Sequence, residues 1–282
     1  MKTIRIIPRL DIKGPNVVKG IHLEGLRVLG KPKDFAQYYF ENGADEIIYM
    51  DVVASLYGRN SLLELIRETT ENIFIPIAVG GGLRSVEDIN NILRAGADKA
   101  IINTAAIKDP SFIKRAVEKF GSSTIVVAIE AIKNDFNQYF AFIDNGREYT
   151  GIEVVEWAQK VEELGAGEIV ITSVDQEGTG KGYDINLITK IKKNVSIPVV
   201  AHGGAGKLEH LNELFTSSNL EGVVLASILH YNAYKIFSYN SEDFKEGNLS
   251  FLMNKNKKIS IDTYSINEIK EFLSKMNYNV RY

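Results

Sequence analysis

Two glycine pairs, 122 residues apart, could bind a ligand with phosphate groups. Gly81-Gly82 and Gly203-Gly204 each follow an Ile-Pro strand start, and each precedes a second, small-residue strand end, Asn103-Thr104 or Ala226-Ser227. Glycine turns at the carboxyl ends of strands expose backbone N–H groups that bind phosphate. The repeat therefore predicts two such sites and a substrate with a phosphate at each end.

Four carboxylates could transfer protons, because each follows a predicted strand: Asp11, Asp51, Glu130 and Asp175. In barrels of alternating strands and helices, the chemistry takes place at the C-terminal ends of the strands. Asp11 and Glu130 end predicted strands one and five, which lie opposite each other in an eight-stranded barrel. That placement suits a general acid and a general base on two sides of one substrate. Alternatively, these carboxylates only accept hydrogen bonds from the next turn.

The elements that position these residues alternate eight times between short strands rich in Val and Ile and amphipathic helices. The predicted strands are residues 3–10, 46–50, 75–79, 99–102, 124–129, 168–172, 198–201 and 222–225. The offset of 122 residues recurs between Glu46 and Glu168. We therefore predict an α/β fold, a (β/α)8 TIM barrel with an internal half-barrel repeat, formed as one domain by residues 1–282.

Two segments interrupt the alternation. Residues 133–149 contain a predicted hairpin that turns at Asn145-Gly146. Residues 231–263 are rich in Asn and Lys and lie between the last predicted strand and the closing helix, residues 265–275. We interpret this second segment as an insertion.

Composition excludes several classes of function. The formal net charge of −3 comes from intermixed signs without a basic stripe, which argues against a nucleic-acid partner. The chain has no basic-then-apolar leader and no long apolar run, so we expect a cytoplasmic protein without a membrane partner. With no cysteine and only four histidines, we expect no disulfide, no metal site and no cofactor.

Numerous motifs occur in a fixed order: Arg-Ile-Ile-Pro-Arg-Leu-Asp11, Val-Val-Lys19-Gly, Asp51-Val-Val-Ala-Ser, Val-Gly-Gly-Gly82, Ile-Asn103-Thr104, Val-Val-Ala-Ile-Glu130, Glu177-Gly178-Thr179, Gly-Gly204-Ala and Leu-Ala226-Ser227. With these motifs the sequence resembles the cyclase subunit of imidazole glycerol phosphate synthase, a barrel enzyme of histidine biosynthesis. The resemblance spans residues 3–231 and resumes over residues 265–281.

The resemblance implies a lyase and cyclase reaction. A separate glutaminase subunit, bound as a heterodimer, would supply ammonia through the barrel. The ammonia would react with a ribulosyl aminoimidazole bisphosphate and give imidazole glycerol phosphate and an aminoimidazole carboxamide nucleotide. Proton transfer would fall to Asp11 and to Glu130, where the family has a second aspartate.

The resemblance also implies binding residues. Substrate and phosphate contacts would come from Lys19, on a mobile loop after strand one, and from Gly82, Asn103, Thr104, Glu177, Gly178, Gly204, Ala226 and Ser227. Four charged residues would close the N-terminal mouth and control ammonia entry: Arg5, Glu46, Lys99 and Glu168. A structural salt-bridge plug is the alternative for this ring. Asp98 would face the glutaminase.

Three further positions depart from the family. Strand alternation points Arg9 inward with Asp11, where the family has a small residue. Its guanidinium would pair with Asp11 or Glu130, could lower the pKa of either carboxylate, and would narrow the passage. Glu177 replaces an aspartate. His202 replaces a serine and is either a phosphate ligand or acid, or a hydrogen-bonded turn residue.

The departures cluster at the reacting face, whereas the ring is retained. We therefore keep two alternatives to the cyclase: a paralogue that supplies ammonia for amidation of a bacterial surface sugar, and a non-catalytic scaffold that only activates the glutaminase. Turnover of the ribulosyl substrate with free ammonium would distinguish the cyclase from both.

Overall fold

The computed structural model describes residues 3–54, 62–244, 247–253 and 261–282. Its strands are β1 (Thr3–Lys13), β2 (Asn16–Ile21), β3 (Glu24–Gly30), β4 (Ile47–Asp51), β5 (Ile77–Gly80), β6 (Lys99–Ile102), β7 (Ile125–Lys133), β8 (Tyr139–Ile143), β9 (Glu148–Glu153), β10 (Glu168–Ser173), β11 (Val199–His202), β12 (Gly222–Leu225) and β13 (Asn279–Val280).

The described helices are α1 (Pro32–Glu41), α2 (Leu63–Thr70), α3 (Val86–Ala95), α4 (Thr104–Lys108), α5 (Ser111–Phe120), α6 (Val154–Glu163), α7 (Ile185–Asn194), α8 (Leu208–Ser217), α9 (Ser227–Ile236), α10 (Ser250–Met253) and α11 (Ile266–Lys275). Several begin where the sequence offers a cap: Ser85 and Ser265 form capping boxes with Asp88 and Glu268. None of the described helices is long and apolar enough to cross a membrane.

Eight strands pair in parallel and close a barrel in the order β1, β4, β5, β6, β7, β10, β11, β12 and back to β1. Helices connect them, which confirms the predicted (β/α)8 barrel. Alternate side chains point inward and fill the interior with aliphatic residues: Ile7, Ile48, Ala78, Ile101, Val126, Ala128, Val170, Val200 and Val224.

The internal repeat is visible in the backbone. Asn103 and Ala226 precede α4 and α9 with nearly the same unusual dihedrals, φ −138° and ψ −85° against φ −129° and ψ −86°. Gly81 and Gly203 likewise have φ of +93° and +98°. The two halves of the barrel therefore present the same pair of turns.

The prediction that Asp11 and Glu130 end their strands was wrong. β1 and β7 run past the predicted ends at residues 10 and 129 and continue to Lys13 and Lys133. Beyond the barrel, β2 and β8 pair with them in antiparallel fashion and satisfy their backbone hydrogen bonds. Both carboxylates therefore lie where a barrel strand becomes one arm of a hairpin. β8 and β9 form the predicted excursion, with its turn at residues 144–147.

The predicted insertion begins inside a helix, because α9 extends to Ile236 and buries Tyr231 and Tyr234. Residues 245–246 and 254–260 of the insertion, and Ser55 of the Asp51 motif, lie outside the described residues. The described chain after α9 packs on β3 and on the turn to α1. Val28 N donates to Asn248 O at 3.1 Å, and the Tyr239 hydroxyl donates to Asp34 at 2.8 Å.

A methyl group at Gly81 is expected to destabilise the fold. A Cβ there would lie 2.1 Å from the carbonyl oxygen of Asp51, at a φ of +93°. At Gly121, φ is similar at +87°, but a Cβ would meet no described atom within 4 Å. We expect Gly81→Ala to lower the free energy of unfolding by about 3 kcal/mol and Gly121→Ala by about 1–2 kcal/mol, measured by urea denaturation. Equal losses would contradict the steric argument.

Candidate active site

A ring of alternating charges closes the N-terminal mouth of the barrel. Arg5 Nη1 lies 2.9 Å from Glu46 Oε2, and Lys99 Nζ lies 2.8 Å from the same oxygen. Lys99 Nζ also lies 3.0 Å from Glu168 Oε2, and Arg5 Nη2 completes the ring by donating to Glu168. All four predicted residues therefore meet.

The ring residues stabilise one another's charged forms. Burial alone would raise the pKa of Glu168, but hydrogen bonds and charges from Arg5 and Lys99 outweigh it and lower that pKa. Burial would likewise lower the pKa of Arg5, yet Glu168 and Glu46 raise it. Because the ring holds two acids and two bases, it carries no net charge.

Arg9 lies further along the barrel axis, beyond the aliphatic layer that contains Ile7. It points inward and is 2% exposed, and its Nε donates to Asp11 Oδ1 at 2.7 Å. The predictions that Arg9 projects inward and pairs with a carboxylate are confirmed. Nη1 lies 3.4 Å from Nδ1 of His202 on β11, so the guanidinium extends from β1 toward β11.

His202 is a buried, neutral hydrogen-bond partner. Burial, and then the charges of Arg9 and Lys19, hold its pKa well below 6.5. Nδ1 also lies 3.2 Å from the Thr172 hydroxyl. Since a guanidinium can only donate, Nδ1 accepts from Arg9 and the ring proton is assigned to Nε2. Of the two interpretations of His202, the structure favours the hydrogen-bonded residue.

A cavity of about 410 Å³ opens at the C-terminal face beside Arg9. Its described lining includes the predicted residues Gly82, Asn103, Thr104 and Glu130, together with Asp51 and Thr172. The first predicted phosphate turn and one predicted proton-transfer group therefore share one cavity. Asp11, which is 2% exposed, is hydrogen-bonded to Arg9 and is not among the described lining residues.

Glu130 occupies β7, directly opposite β1 in the barrel, as predicted for Asp11 and Glu130. Its Oε2 accepts from Gly146 N at 2.8 Å, so the β8–β9 turn holds the carboxyl group. Burial raises the pKa of Glu130 to about 7, and Arg9 and the Gly146 N–H offset only part of that rise. Arg9 does lower the pKa of Glu130, as expected, but burial raises it by more, so the net shift is upward and not downward.

Two residues beside the first glycine turn were not predicted from the sequence. Asp144 N donates to the Thr104 hydroxyl at 3.2 Å, and Lys108 Nζ lies 3.8 Å from Asp144 Oδ2. Both line the cavity. Asp144 precedes the recognised Asn145-Gly146 turn, and Lys108 lies one helical turn beyond Thr104, so the spacing could have indicated them.

The residues predicted to bind the second phosphate lie at the turns that follow β10, β11 and β12. Gly178 packs against the Gly20 carbonyl of β2, and the Gly204 carbonyl accepts from Gly182 N at 2.8 Å. Ala226 and Ser227 are buried where α9 begins.

Lys19 does not lie on a loop, as the resemblance implied. Lys19 lies in β2 and is 1% exposed. Its ammonium donates to Glu177, whose other oxygen accepts from Leu23 N at 2.9 Å. This buried ion pair attaches the β2–β3 hairpin to the segment after β10.

The remaining predicted carboxylates have separate positions. Asp98 is exposed at the N-terminal face, where its Oδ2 accepts from Ile77 N at 2.8 Å. Asp175 accepts from Lys133 N at 2.9 Å and so supports the β7 extension. The described residues contain no group of three or more His, Cys, Asp or Glu side chains that could hold a metal ion.

A family model described as "Histidine biosynthesis protein" matches residues 5–235, which include the ring, the cavity and both glycine turns. The chain belongs to the histidine biosynthesis protein family. Several curated members of the family are similar to it along nearly their whole length.

Three such relatives are each named imidazole glycerol phosphate synthase subunit HisF. The protein from Legionella pneumophila is 56% identical over 212 residues, which make up 75% of this chain and 100% of the relative. That from Methanocaldococcus jannaschii is 46% identical over 255 residues, which cover 84% of this chain and 94% of the relative. That from Clostridium botulinum strain Kyoto is 45% identical over 248 residues, which cover 88% of this chain and 98% of the relative.

The ring should contribute stability that depends on pH. Because the folded-state pKa of Glu168 lies below 4.5, its contribution is present above about pH 4.5 and is lost as the pH falls through the folded-state pKa. We expect Glu168→Gln to lower the free energy of unfolding by about 1–3 kcal/mol at pH 7 and by progressively less below pH 4.5. Urea denaturation across this range measures the effect.

The matched control is Glu163→Gln, which removes an exposed carboxylate paired with Lys160. It should change stability by less than about 0.5 kcal/mol at either pH. A loss for Glu168→Gln that did not vary with pH would show that its packing, and not its charge, matters.

Proposed function

We propose that the chain is the cyclase subunit of an imidazole glycerol phosphate synthase. It would convert a ribulosyl aminoimidazole bisphosphate and glutamine-derived ammonia into imidazole glycerol phosphate and an aminoimidazole carboxamide nucleotide, as a lyase. One observation carries this proposal. The Glu130 carboxyl group, whose pKa is raised to about 7, lines the same cavity as the glycine turn at Gly81-Gly82, which is of the kind that binds phosphate. The names of the relatives support it.

Glu130 has the properties of a general acid. With a pKa of about 7 it is substantially protonated at neutral pH and can still transfer its proton. The Gly146 N–H fixes one oxygen and leaves the other available to the substrate. Asp11, on the opposite side of the barrel, accepts a hydrogen bond from the Arg9 guanidinium and would serve as the base.

The charge ring is proposed as the entrance for ammonia. It lies at the mouth opposite the cavity, so a nucleophile admitted there would meet the substrate from within the barrel. A glutaminase subunit bound at that face would deliver ammonia before water could protonate it. Exposed Asp98 and Phe74, which is 80% exposed, lie at the N-terminal ends of β6 and β5 and offer such a subunit polar and apolar contacts.

One observation favours the sugar-amidation paralogue as a second candidate. In the sheet, Arg9 of β1 lies beside Ile48 of β4, and Ala128 of β7 lies beside Val170 of β10. Because Val170 follows Ile48 by the repeat offset of 122 residues, Ala128 is the counterpart of Arg9 in the other half of the barrel. The chain thus places a cation where its own other half, like the family, has a small residue. A changed acceptor would account for a changed side chain at this level.

Replacing either proton-transfer group should reduce turnover. We expect Asp11→Asn and Glu130→Gln each to lower kcat with the ribulosyl substrate and ammonium by about 100-fold, with little change in KM. If protonated Glu130 is the acid, wild-type activity should fall above about pH 7, and Glu130→Gln should lack that inflection.

Asp135→Asn is the matched control, since Asp135 is an exposed carboxylate on the same face and lies outside the described cavity lining. It should retain wild-type turnover. Wild-type protein that stimulates a glutaminase but leaves the ribulosyl substrate unchanged would instead support the paralogue or the scaffold.

The N-terminal face should bind a glutaminase. We expect the chain to co-purify with the glutaminase subunit encoded in the same genome, and Asp98→Lys to weaken the complex at least about tenfold in calorimetry, because a reversed charge penalises a charge-complementary interface. Asp135→Lys, at the opposite face, should leave the affinity unchanged. If both variants bind equally well, Asp98 is outside the interface.

A further inference from the structure

Arg9 holds a hydrogen-bond donor that nothing in the described chain satisfies. Its Nε and Nη1 contact Asp11 and His202, whereas Nη2 is buried without a partner among the described residues. Buried N–H groups of native proteins are almost always hydrogen-bonded, and those of a cation are the most costly to leave unpaired. An unsatisfied guanidinium N–H therefore points to an acceptor that is not part of the chain.

The surroundings of Arg9 locate that acceptor. Arg9 lines the cavity together with Glu130 and Thr172, on the side that faces the charge ring. Two other cations line the cavity, but Arg84 follows the first glycine turn and Lys108 ends the helix that begins at Thr104. Those two suit the phosphate. Arg9 is left for the opposite part of the ligand, at the level where ammonia would arrive.

Two of the guanidinium contacts fix its orientation. Asp11 holds Nε from β1, and neutral His202 accepts at Nη1 from β11. Burial would lower the pKa of Arg9, but Asp11 and Glu130 outweigh it and raise that pKa. Arg9 can therefore donate a hydrogen bond but not a proton. A fixed, charged donor in a site with little water is the arrangement that stabilises an oxyanion most effectively.

We propose that Nη2 of Arg9 binds the keto oxygen of the ribulosyl substrate, at the carbon that ammonia attacks, and is a catalytic residue of this chain. The inference rests on the proposed function. The keto carbon is the electrophile of a ribulosyl chain, and its oxygen gains negative charge as the nucleophile adds. Among the cavity residues described, Arg9 is the cation placed to receive that charge.

The step balances with the residues present. The nitrogen lone pair of ammonia forms the C–N bond while the C=O π electrons move to oxygen, which Arg9 stabilises and Glu130 protonates. Asp11 removes one proton from nitrogen, which leaves a neutral carbinolamine. Asp11 then returns that proton to the hydroxyl group, water leaves, and the resulting iminium gives a proton to Glu130. The net change converts ketone and ammonia into imine and water.

Three variants test the role in ammonium-dependent turnover: Arg9→Ala, Arg9→Met and Arg9→Lys. We expect kcat to fall about 100-fold or more in Arg9→Ala and Arg9→Met, with a smaller change in KM. Millimolar guanidinium chloride should restore part of the activity of Arg9→Ala, because the cavity left by the side chain admits the free cation. Arg9→Lys, which keeps the charge, should lose less than Arg9→Met.

The control is Arg94→Ala, which removes an exposed arginine of α3 and should leave turnover unchanged. Thermal melting confirms that each variant is folded. Turnover in Arg9→Ala equal to or above the wild type would overturn the proposal and identify Arg9 as an obstruction. A loss that neither guanidinium nor lysine reduces would also overturn it, since it would reflect structural support alone.

A binding measurement separates this inference from the proposed function. Ribulose 5-phosphate and ribitol 5-phosphate differ at the carbonyl group, so wild-type protein should bind the ketone about tenfold more tightly in calorimetry, and Arg9→Met should lose that preference. If the preference is present but the wild type does not turn over the ribulosyl bisphosphate, the proposed function fails and the role of Arg9 stands. If the wild type turns over its substrate without any such preference, the role of Arg9 fails.

Discussion

The pairing of charges inside a closed barrel is the constraint on which the rest of this structure depends. An interior lined by Ile, Val and Ala cannot solvate a charge, so each charge placed there requires a partner. The ring of Arg5, Glu46, Lys99 and Glu168 meets this requirement at one mouth, and Lys19 with Glu177 meets it near the other. Arg9 meets it only in part. Its unsatisfied donor therefore marks a place where the fold leaves room for something else to bind.

Two hairpin extensions at the C-terminal face determine which side chains surround the two carboxylates. β1 and β7 lie opposite each other, and each leaves the barrel as one arm of an antiparallel extension just beyond its carboxylate. The β8–β9 turn donates to Glu130 from above, whereas the β2–β3 hairpin is held down by Lys19 and by the chain after α9. The described cavity thus lies in the half near β7. The two halves share the same pair of glycine turns but differ in the segments that connect their strands.

Much of this could be predicted from the sequence, because strand alternation and a repeated offset are local signals. They indicated the barrel and the inward direction of Arg9, whereas the meeting of the four ring charges was implied only by the family resemblance. Strand alternation did not indicate the extensions of β1 and β7, whose stability comes from antiparallel partners after each strand. The family resemblance implied a loop at Lys19, which the structure places in β2. The upward shift of the Glu130 pKa could not be predicted from the sequence either. It depends on how far burial exceeds the attraction of Arg9, and that balance exists only once the chain is folded.

The low polarity of the barrel interior also bears on which form of nitrogen can react. The ring carries no net charge, and Arg9 is paired with Asp11, so neither group attracts ammonium into the barrel. An aliphatic layer lies between them, and a cation that entered it would lose its hydration without gaining a partner, whereas neutral ammonia would lose far less. Under the proposed function, the barrel would therefore favour the form of nitrogen that has a lone pair with which to attack the ketone.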